Sequence, residues 1–492
     1  MKKEIILNFI FTLLTNVLGF VQNKFFIQYM GIETLGMMKL FSQLLAYLNI
    51  VELGLGSASA FALYKPLAEK DYKKISIVVT TIESIYNKIA MIILVLGILC
   101  VPLISFFMEV SDSSNKVYFY WILYVLNTVS TYLFIKYVIL FTANQEFIFV
   151  RFIQSSSKIL FQILQILFII RFHLFFLYII LLICDNLLQY IFFRKHYKSN
   201  YSYIEKTVER YEGIKTDIKN LFWHRIGSLV VFNTDLILIS KFVSLSMVGI
   251  YASYQLIIQV INTIVGIIIG VLSPKIGKYN SQNTKEKIYF FFRKLNVLFL
   301  GIAIFFVYSF YRLIDSFIFL WIGREYILLK YTLILICINF FISIFRKILD
   351  LFKDSCGFFD DIKSPIYESI INLVISIILG FKIGLDGIII GTIVSNIIVI
   401  LIYKPILVFE RCFDKDWKEY IKIYTNYILL LFISLGVLSI ATKPFLRTEI
   451  NSWFEWIVYA TIISVISMIA LLVIFLLNKD YREIVKEYIL KK

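Results

Sequence analysis

The sequence is short of the residues that do chemistry. Its three histidines, His173, His196 and His224, are isolated, with no Ser-His-Asp or metal-ligand spacing around them. No Walker A sequence occurs, so ATP hydrolysis within the chain is not expected. The five cysteines (Cys100, Cys184, Cys337, Cys356 and Cys412) form no CxxC pair and have no nearby histidine. That pattern suggests neither a zinc site nor a disulfide framework, and leaves isolated thiols serving as small apolar residues. Asp414-Lys415-Asp416 has the DxD form of glycosyltransferases. It falls in a loop expected in the cytoplasm, whereas membrane transferases that use lipid-linked donors place such acids on the outer face. No enzyme activity, catalytic residue, cofactor or metal is expected.

Charge is scarce as well, at 17% of residues, while 60% are hydrophobic and the mean hydropathy is +0.83. A soluble domain of 492 residues would need far more polar surface, so the chain is read as an all-α polytopic membrane protein. It divides into about 14 apolar runs long enough to span a bilayer. The first six lie near 5–30, 36–63, 84–108, 117–141, 149–170 and 174–193. Six more lie near 221–243, 247–273, 289–311, 328–352, 364–383 and 386–409, followed by two near 420–441 and 454–477. The formal net charge of +16 would suggest nucleic acid in a soluble protein, but here the positions of the charges decide. Lysines and arginines in alternate connections outnumber those in the others more than threefold. By the positive-inside rule both termini are cytoplasmic, in the cell membrane, and no nucleic-acid partner is expected. Met1-Lys2-Lys3-Glu4 and the following apolar run form an uncleaved first span, since no small-residue cleavage site precedes Gly31.

An internal repeat organises the spans. Gly36 opens one apolar helix and Gly249 another. At equal distances from those glycines, Ser42, Ala46 and Asn49 match Gln255, Gln259 and Asn262. Both helices end in proline and lysine (Lys65-Pro66, Pro274-Lys275). Each carries a narrow, partly polar stripe on an otherwise apolar surface, so the stripe faces something other than lipid. The hydrophilic stretch 195–220 separates two groups of six spans, and an even number of spans gives a parallel repeat. The expected organisation is an N-terminal six-helix bundle at 1–194, a cytoplasmic linker at 195–220, a second six-helix bundle at 221–411, and an extra helix pair with a tail at 412–492.

These motifs carry a resemblance. Gly31-Ile32-Glu33 to Gly36, Glu52-Leu53-Gly54-Leu55-Gly56-Ser57-Ala58 and Tyr64-Lys65-Pro66-Leu67-Ala68 lie in the first half. Asn233-Thr234-Asp235-Leu236-Ile237-Leu238, Val248-Gly249-Ile250-Tyr251 and Gly384-Leu385-Asp386-Gly387-Ile388-Ile389-Ile390-Gly391-Thr392 lie in the second. In order and spacing they resemble the polysaccharide-transporter (Wzx-like flippase) branch of the multidrug/oligosaccharidyl-lipid/polysaccharide (MOP) exporter superfamily, which also contains the MATE exporters. The resemblance covers essentially the whole chain. It implies a flippase that moves undecaprenyl-pyrophosphate-linked oligosaccharide repeat units for capsule or O-antigen, through two bundles that alternate between inward- and outward-open states. The implied partners are that lipid-linked oligosaccharide and membrane lipids, with room for polysaccharide assembly proteins. The alternatives are a cation-coupled multidrug exporter of the same superfamily, or a membrane polysaccharide polymerase or ligase. The last usually carries a long outer loop, and every outer connection here is short.

Ionisable side chains inside spans cost several kcal/mol if they face lipid, so they normally face a cavity or a partner. The first span carries a polar stripe of Asn8, Thr12, Thr15, Asn16, Gly19, Gln22 and Asn23, with Lys24 at its margin. The stripe is expected to line the transport path. Lys24, Lys39 and Lys158 are expected to hold the cargo diphosphate, the alternative for Lys24 being a side chain that snorkels to the outer interface. Asn49, Gln255, Gln259 and Asn262 are expected to face the cargo. Glu52 and Asp235 are candidates for ion coupling or gating, with a structural ion pair as the alternative, and Asp185 is of the same kind. Lys136 lies inside span four, and for Arg346 and Lys347 ordinary positive-inside bias is the better explanation.

Overall fold

A computed structural model gives the fold and describes residues 2–49, 55–108, 114–211, 234–358, 361, 363–445 and 450–490. Almost all of them are helical, because a backbone in lipid must satisfy its own N–H and C=O groups. The helices are α1 (Lys2–Met30), α2 (Ile32–Leu48), α3 (Leu55–Glu69), α4 (Tyr72–Leu99), α5 (Val101–Phe107), α6 (Ser114–Thr131), α7 (Ile135–Ala143), α8 (Phe147–Phe172) and α9 (Phe175–Asn200). Then come α10 (Asp235–Phe242), α11 (Leu245–Gln282), α12 (Lys285–Trp321), α13 (Lys330–Ser355), α14 (Lys363–Ser395), α15 (Lys404–Val408), α16 (Trp417–Thr442), α17 (Trp453–Phe475) and α18 (Lys479–Leu490). Short π-helical stretches, Asn396–Tyr403 and Phe409–Phe413, flank α15.

Among the described residues, eleven helical segments are long and apolar enough to cross a membrane. One of them, Lys363–Phe413, holds two of the expected spans. The turn between its arms is at Gly384, whose φ of +62° suits glycine. Two other expected spans, 36–63 and 221–243, lie partly outside the described residues; α2, α3 and α10 are their described parts.

The chain forms two compact units, Met1–Ala252 and Ser253–Lys492. In the first, α1 lies along α8, α8 along α9, and α3 against both α4 and α7. Aromatic rings fill the core: Phe26 meets Phe175 and Tyr178 edge-on, and Phe41 meets Trp121 and Tyr124. Gly97 lets α6 approach closely, since a Cβ there would lie 2.7 Å from Val125, and its carbonyl accepts from Trp121 Nε1 at 2.7 Å. Small residues at helix crossings are what membrane packing favours.

Just beyond α9 the described residues pack back on the first unit. Residues 201–211 run as an ordered strap over the ends of α9, α7 and α4. Tyr201 hydroxyl donates to Glu146, and Tyr203 sits 4.4 Å from the Tyr72 ring. Glu205 N–H donates to Ser76 Oγ at 3.2 Å, and Tyr211 N–H to Thr81 Oγ1 at 3.0 Å. Lys206 reaches Glu83 at 3.9 Å.

In the second unit α12 is the central helix, packed by α13, α16 and α17. The two arms of α14 touch backbone to backbone, because a Cβ on Gly387 would lie 2.2 Å from Leu379 O. Beyond the last span the chain forms the amphipathic helix α18, folded back on α12 by Arg293–Asp480 (2.9 Å) and Lys294–Glu487 (2.5 Å).

Candidate functional site

In the first unit the polar stripe of α1 is partly used up by packing. Gln22 Nε2 donates to Gln165 Oε1 of α8 at 2.6 Å, and Gln165 Nε2 to Tyr178 O at 3.4 Å. Gln162 Nε2 reaches Thr15 O at 3.4 Å. One side chain of the stripe, Gln22, therefore holds α1 to α8 rather than standing free for cargo, because a buried amide needs a partner, and Thr15 joins the contact through its backbone carbonyl alone. Sequence periodicity shows that a face is polar, but not which neighbour covers it.

The expected lysines differ in their surroundings. Lys24 and Lys39 are half-buried, and among the described residues neither has a carboxylate within 4.0 Å. Lys158 is exposed and lies near Asp185, whose carboxylate accepts from Ser157 and from Gln189 Nε2 at 3.0 Å. Lys136, by contrast, is ion-paired with Glu83 of α4 at 2.6 Å and sits over the Tyr137 ring. Asn49 ends α2 and accepts from Tyr132 hydroxyl at 3.2 Å. Asp235 opens α10 beside Tyr47. Glu52 lies outside the described residues. A further network is not anticipated in the sequence: Asn186 Nδ2 donates to Asn127 Oδ1 (3.0 Å) and Ser130 Oγ (2.8 Å). The only signal for it is an Asp-Asn pair in the middle of an apolar span.

The repeat is visible as a contact. A Cβ on Gly36 would lie 1.9 Å from Leu245 O, and one on Gly249 would lie 2.4 Å from Ile32 O. The contact is reciprocal under one offset: 32 to 245 and 36 to 249 are both 213 residues. The same offset joins Glu33 to Ser246, whose hydroxyl donates to the Glu33 carboxylate at 3.1 Å. Equivalent residues thus meet each other, as across a two-fold axis, and glycine is needed at both positions for the backbones to touch.

This architecture matches solved structures over nearly its whole length. The lipid II flippase MurJ in an inward closed conformation superposes with a TM-score of 0.68 over 96% of this chain and 99% of that one, at 15% sequence identity. An inward-facing multidrug resistance MATE family transporter of the MOP superfamily gives 0.58, over 80% of this chain and 94% of that one, at 14% identity. The MATE multidrug transporter DinF-BH gives 0.56, over 82% and 94%, at 15% identity. The chain shares the fold of this flippase and of these MATE transporters. The sequence matches no family model and no curated protein.

In the second unit, Gln255 and Asn262 of α11 are half-buried and Gln259 is exposed. The Asn262 Oδ1 is buried with no hydrogen-bond partner among the described residues. One and two turns on, Gly266 and Gly270 border open space, with nothing within 4 Å of where a Cβ would be. Asn49 belongs to the first unit and these residues to the second.

Arg346 and Asp350 of α13 are structural charges. Arg346 pairs with Asp350 (3.2 Å) and with the buried Glu368 (3.0 Å), and Asp350 also binds Lys404. Lys404 counts among the basic inner connections in the sequence, yet it is only 7% exposed and inside a spanning segment. The sequence signal for the cluster is that Asp350 follows Arg346 by one helical turn. The glycines of the Gly384-to-Gly391 motif are structural too: Gly391 leaves no room for a Cβ beside Ser376.

Proposed function

We propose that the chain flips undecaprenyl-pyrophosphate-linked oligosaccharide repeat units across the cytoplasmic membrane for capsule- or O-antigen-type polysaccharide. The observation that carries this reading is the extent of the match: the lipid II flippase aligns over 96% of the chain, whereas the two MATE structures align over 80% and 82%. Half-buried lysines without acidic partners among the described residues add to it, since a diphosphate brought into a membrane cavity needs fixed cations. Lys24, Lys39 and Lys158 would hold the diphosphate, and Asn49, Gln255, Gln259 and Asn262 would meet the sugars. Glu52 and Asp235 would couple or gate the exchange between inward- and outward-open states, with both termini in the cytoplasm. The reciprocal contact at Gly36 and Gly249 would then close the outer side.

The test is reconstitution of the full chain in vesicles holding a fluorescent undecaprenyl-pyrophosphate oligosaccharide, read by quenching from outside. Accelerated exchange between leaflets is expected. No acceleration, together with resistance to cationic drugs in cells that express the chain, would favour the multidrug-exporter reading instead.

A further inference from the structure

We propose that Cys356 and Cys412 are a redox pair that closes to a disulfide at one end of the second unit. The two thiols are 56 residues apart in the sequence and come from separate elements, the C-cap of α13 and the π-helical stretch Phe409–Phe413. Two contacts align these elements antiparallel. The Phe352 and Phe413 rings lie 6.0 Å apart, and the Arg411 guanidinium sits 4.1 Å from the Phe358 ring centre. Cys356 and Cys412 lie between these two contacts and are thus bracketed on both sides. Phe292 locks the pair further by meeting Phe352 at 5.3 Å and Phe413 at 4.8 Å.

The environment gives the two sulfurs different roles. Cys356 is half-buried, while Cys412 is 5% exposed. Asn280 Nδ2, which donates to Ser355 Oγ at 2.6 Å, lies 3.7 Å from the Cys356 sulfur. The hydrogen bond with Cys412 draws the Cys356 thiol below its ordinary pKa against the cost of burial, and Lys285 and Asn280 act in the same direction. Cys356 is therefore the attacking thiolate and Cys412 the resolving thiol.

With hydrogen peroxide as oxidant the step balances. The Cys356 thiolate attacks one peroxide oxygen, the O–O bond breaks, and hydroxide leaves to become water. The sulfur of Cys412 then attacks the Cys356 sulfenic acid. The S–S bond forms, the S–O bond breaks, and a second water carries off the Cys412 proton. Two electrons pass from the sulfurs to the peroxide. The bond would fasten the end of α13 to the segment after α15, on the side that the proposed topology makes cytoplasmic, and any cycle that moves those ends apart would stop.

The full chain, purified in detergent, is reduced, freed of reductant, treated with one equivalent of hydrogen peroxide, denatured and titrated with maleimide. The free-thiol count is expected to fall from five to three. Non-reducing peptide mapping should give one cross-link, Cys356 to Cys412, and reductant should restore all five thiols. Cys356→Ser is expected to keep its four thiols. Cys412→Ser should carry a sulfenic acid at Cys356 that dimedone traps, a readout that does not depend on transport. Five thiols surviving in the parent, or cross-links that involve Cys100, Cys184 or Cys337, would overturn the pairing.

Discussion

A lysine inside a membrane span costs several kcal/mol unless something answers its charge. This chain holds two kinds. Lys136 and Lys404, with Arg346, are answered by Glu83, Asp350 and Glu368, and so belong to the fold. Lys24 and Lys39 have no such partner among the described residues. Removing a fold lysine leaves a buried carboxylate exposed to the full cost of desolvation, whereas removing a cargo lysine should leave folding intact. Lys24→Ala and Lys39→Ala are expected to insert normally and to weaken cargo capture by about 1.5–3 kcal/mol, the worth of a hydrogen bond to a charged group. Lysine-to-arginine at either site should retain much of the flipping rate. Lys73→Ala is the control: its 3.8 Å pair with Glu209 is exposed at both ends, and such pairs contribute about 1 kcal/mol or less. Vesicle flipping equal to the parent in both variants would leave these lysines as interface anchors.

At the level of elements, two contacts make predictions. The α2–α11 crossing depends on Gly36 and Gly249, and a side chain at either would collide with carbonyl oxygen. Glu33→Cys with Ser246→Cys, in a chain stripped of its own cysteines, should cross-link readily. Adding Gly36→Leu should abolish the cross-link, and persistence of the cross-link would show that the helices yield elsewhere. The strap makes a pH prediction through Glu146, which lies between α7 and α8. Burial alone would raise its pKa, but hydrogen bonds from Tyr201, Asn144 and His196 hold it below the ordinary value of 4.5. A depressed carboxyl stabilises the fold above that value and loses the contribution as pH falls through the lower, folded one. Hydrogen exchange in 201–211 should therefore quicken as pH drops below 4.5, and Glu146→Gln should flatten the response. The glycines of the crossing are legible in the sequence because an offset of 213 repeats them. The strap is not, because its anchors Ser76 and Thr81 look like ordinary residues of an apolar helix. The partnering of Gln22 with Gln165 is also hidden, since periodicity says nothing about a helix 143 residues away.

The whole molecule is the scale at which the sequence is most informative. Hydropathy marks the spans because about 20 apolar residues match the thickness of a bilayer, and among the described residues eleven helical segments are long and apolar enough to cross one. Helices that continue past the apolar run, or start after it, are less visible; α18 reads as a charged tail until Arg293 and Lys294 of α12 are seen to hold it. The charge alternation predicts topology, and the prediction is strict because an error of one span inverts everything downstream. Ser199 lies in the last turn of α9, at the start of the basic stretch that separates the repeats. The proposed topology puts that stretch, with both termini, in the cytoplasm, as the positive-inside rule would have it. Ser199→Cys in a chain free of other cysteines should therefore resist a membrane-impermeant maleimide in intact cells and react after permeabilisation. Lys443→Cys, in the connection between α16 and α17, should show the opposite pattern. Labelling of Ser199→Cys from outside would reverse the orientation of every span. It would also turn the lysines at 65, 70, 73 and 74 outward, where they could not help to draw an anionic cargo from the inner leaflet.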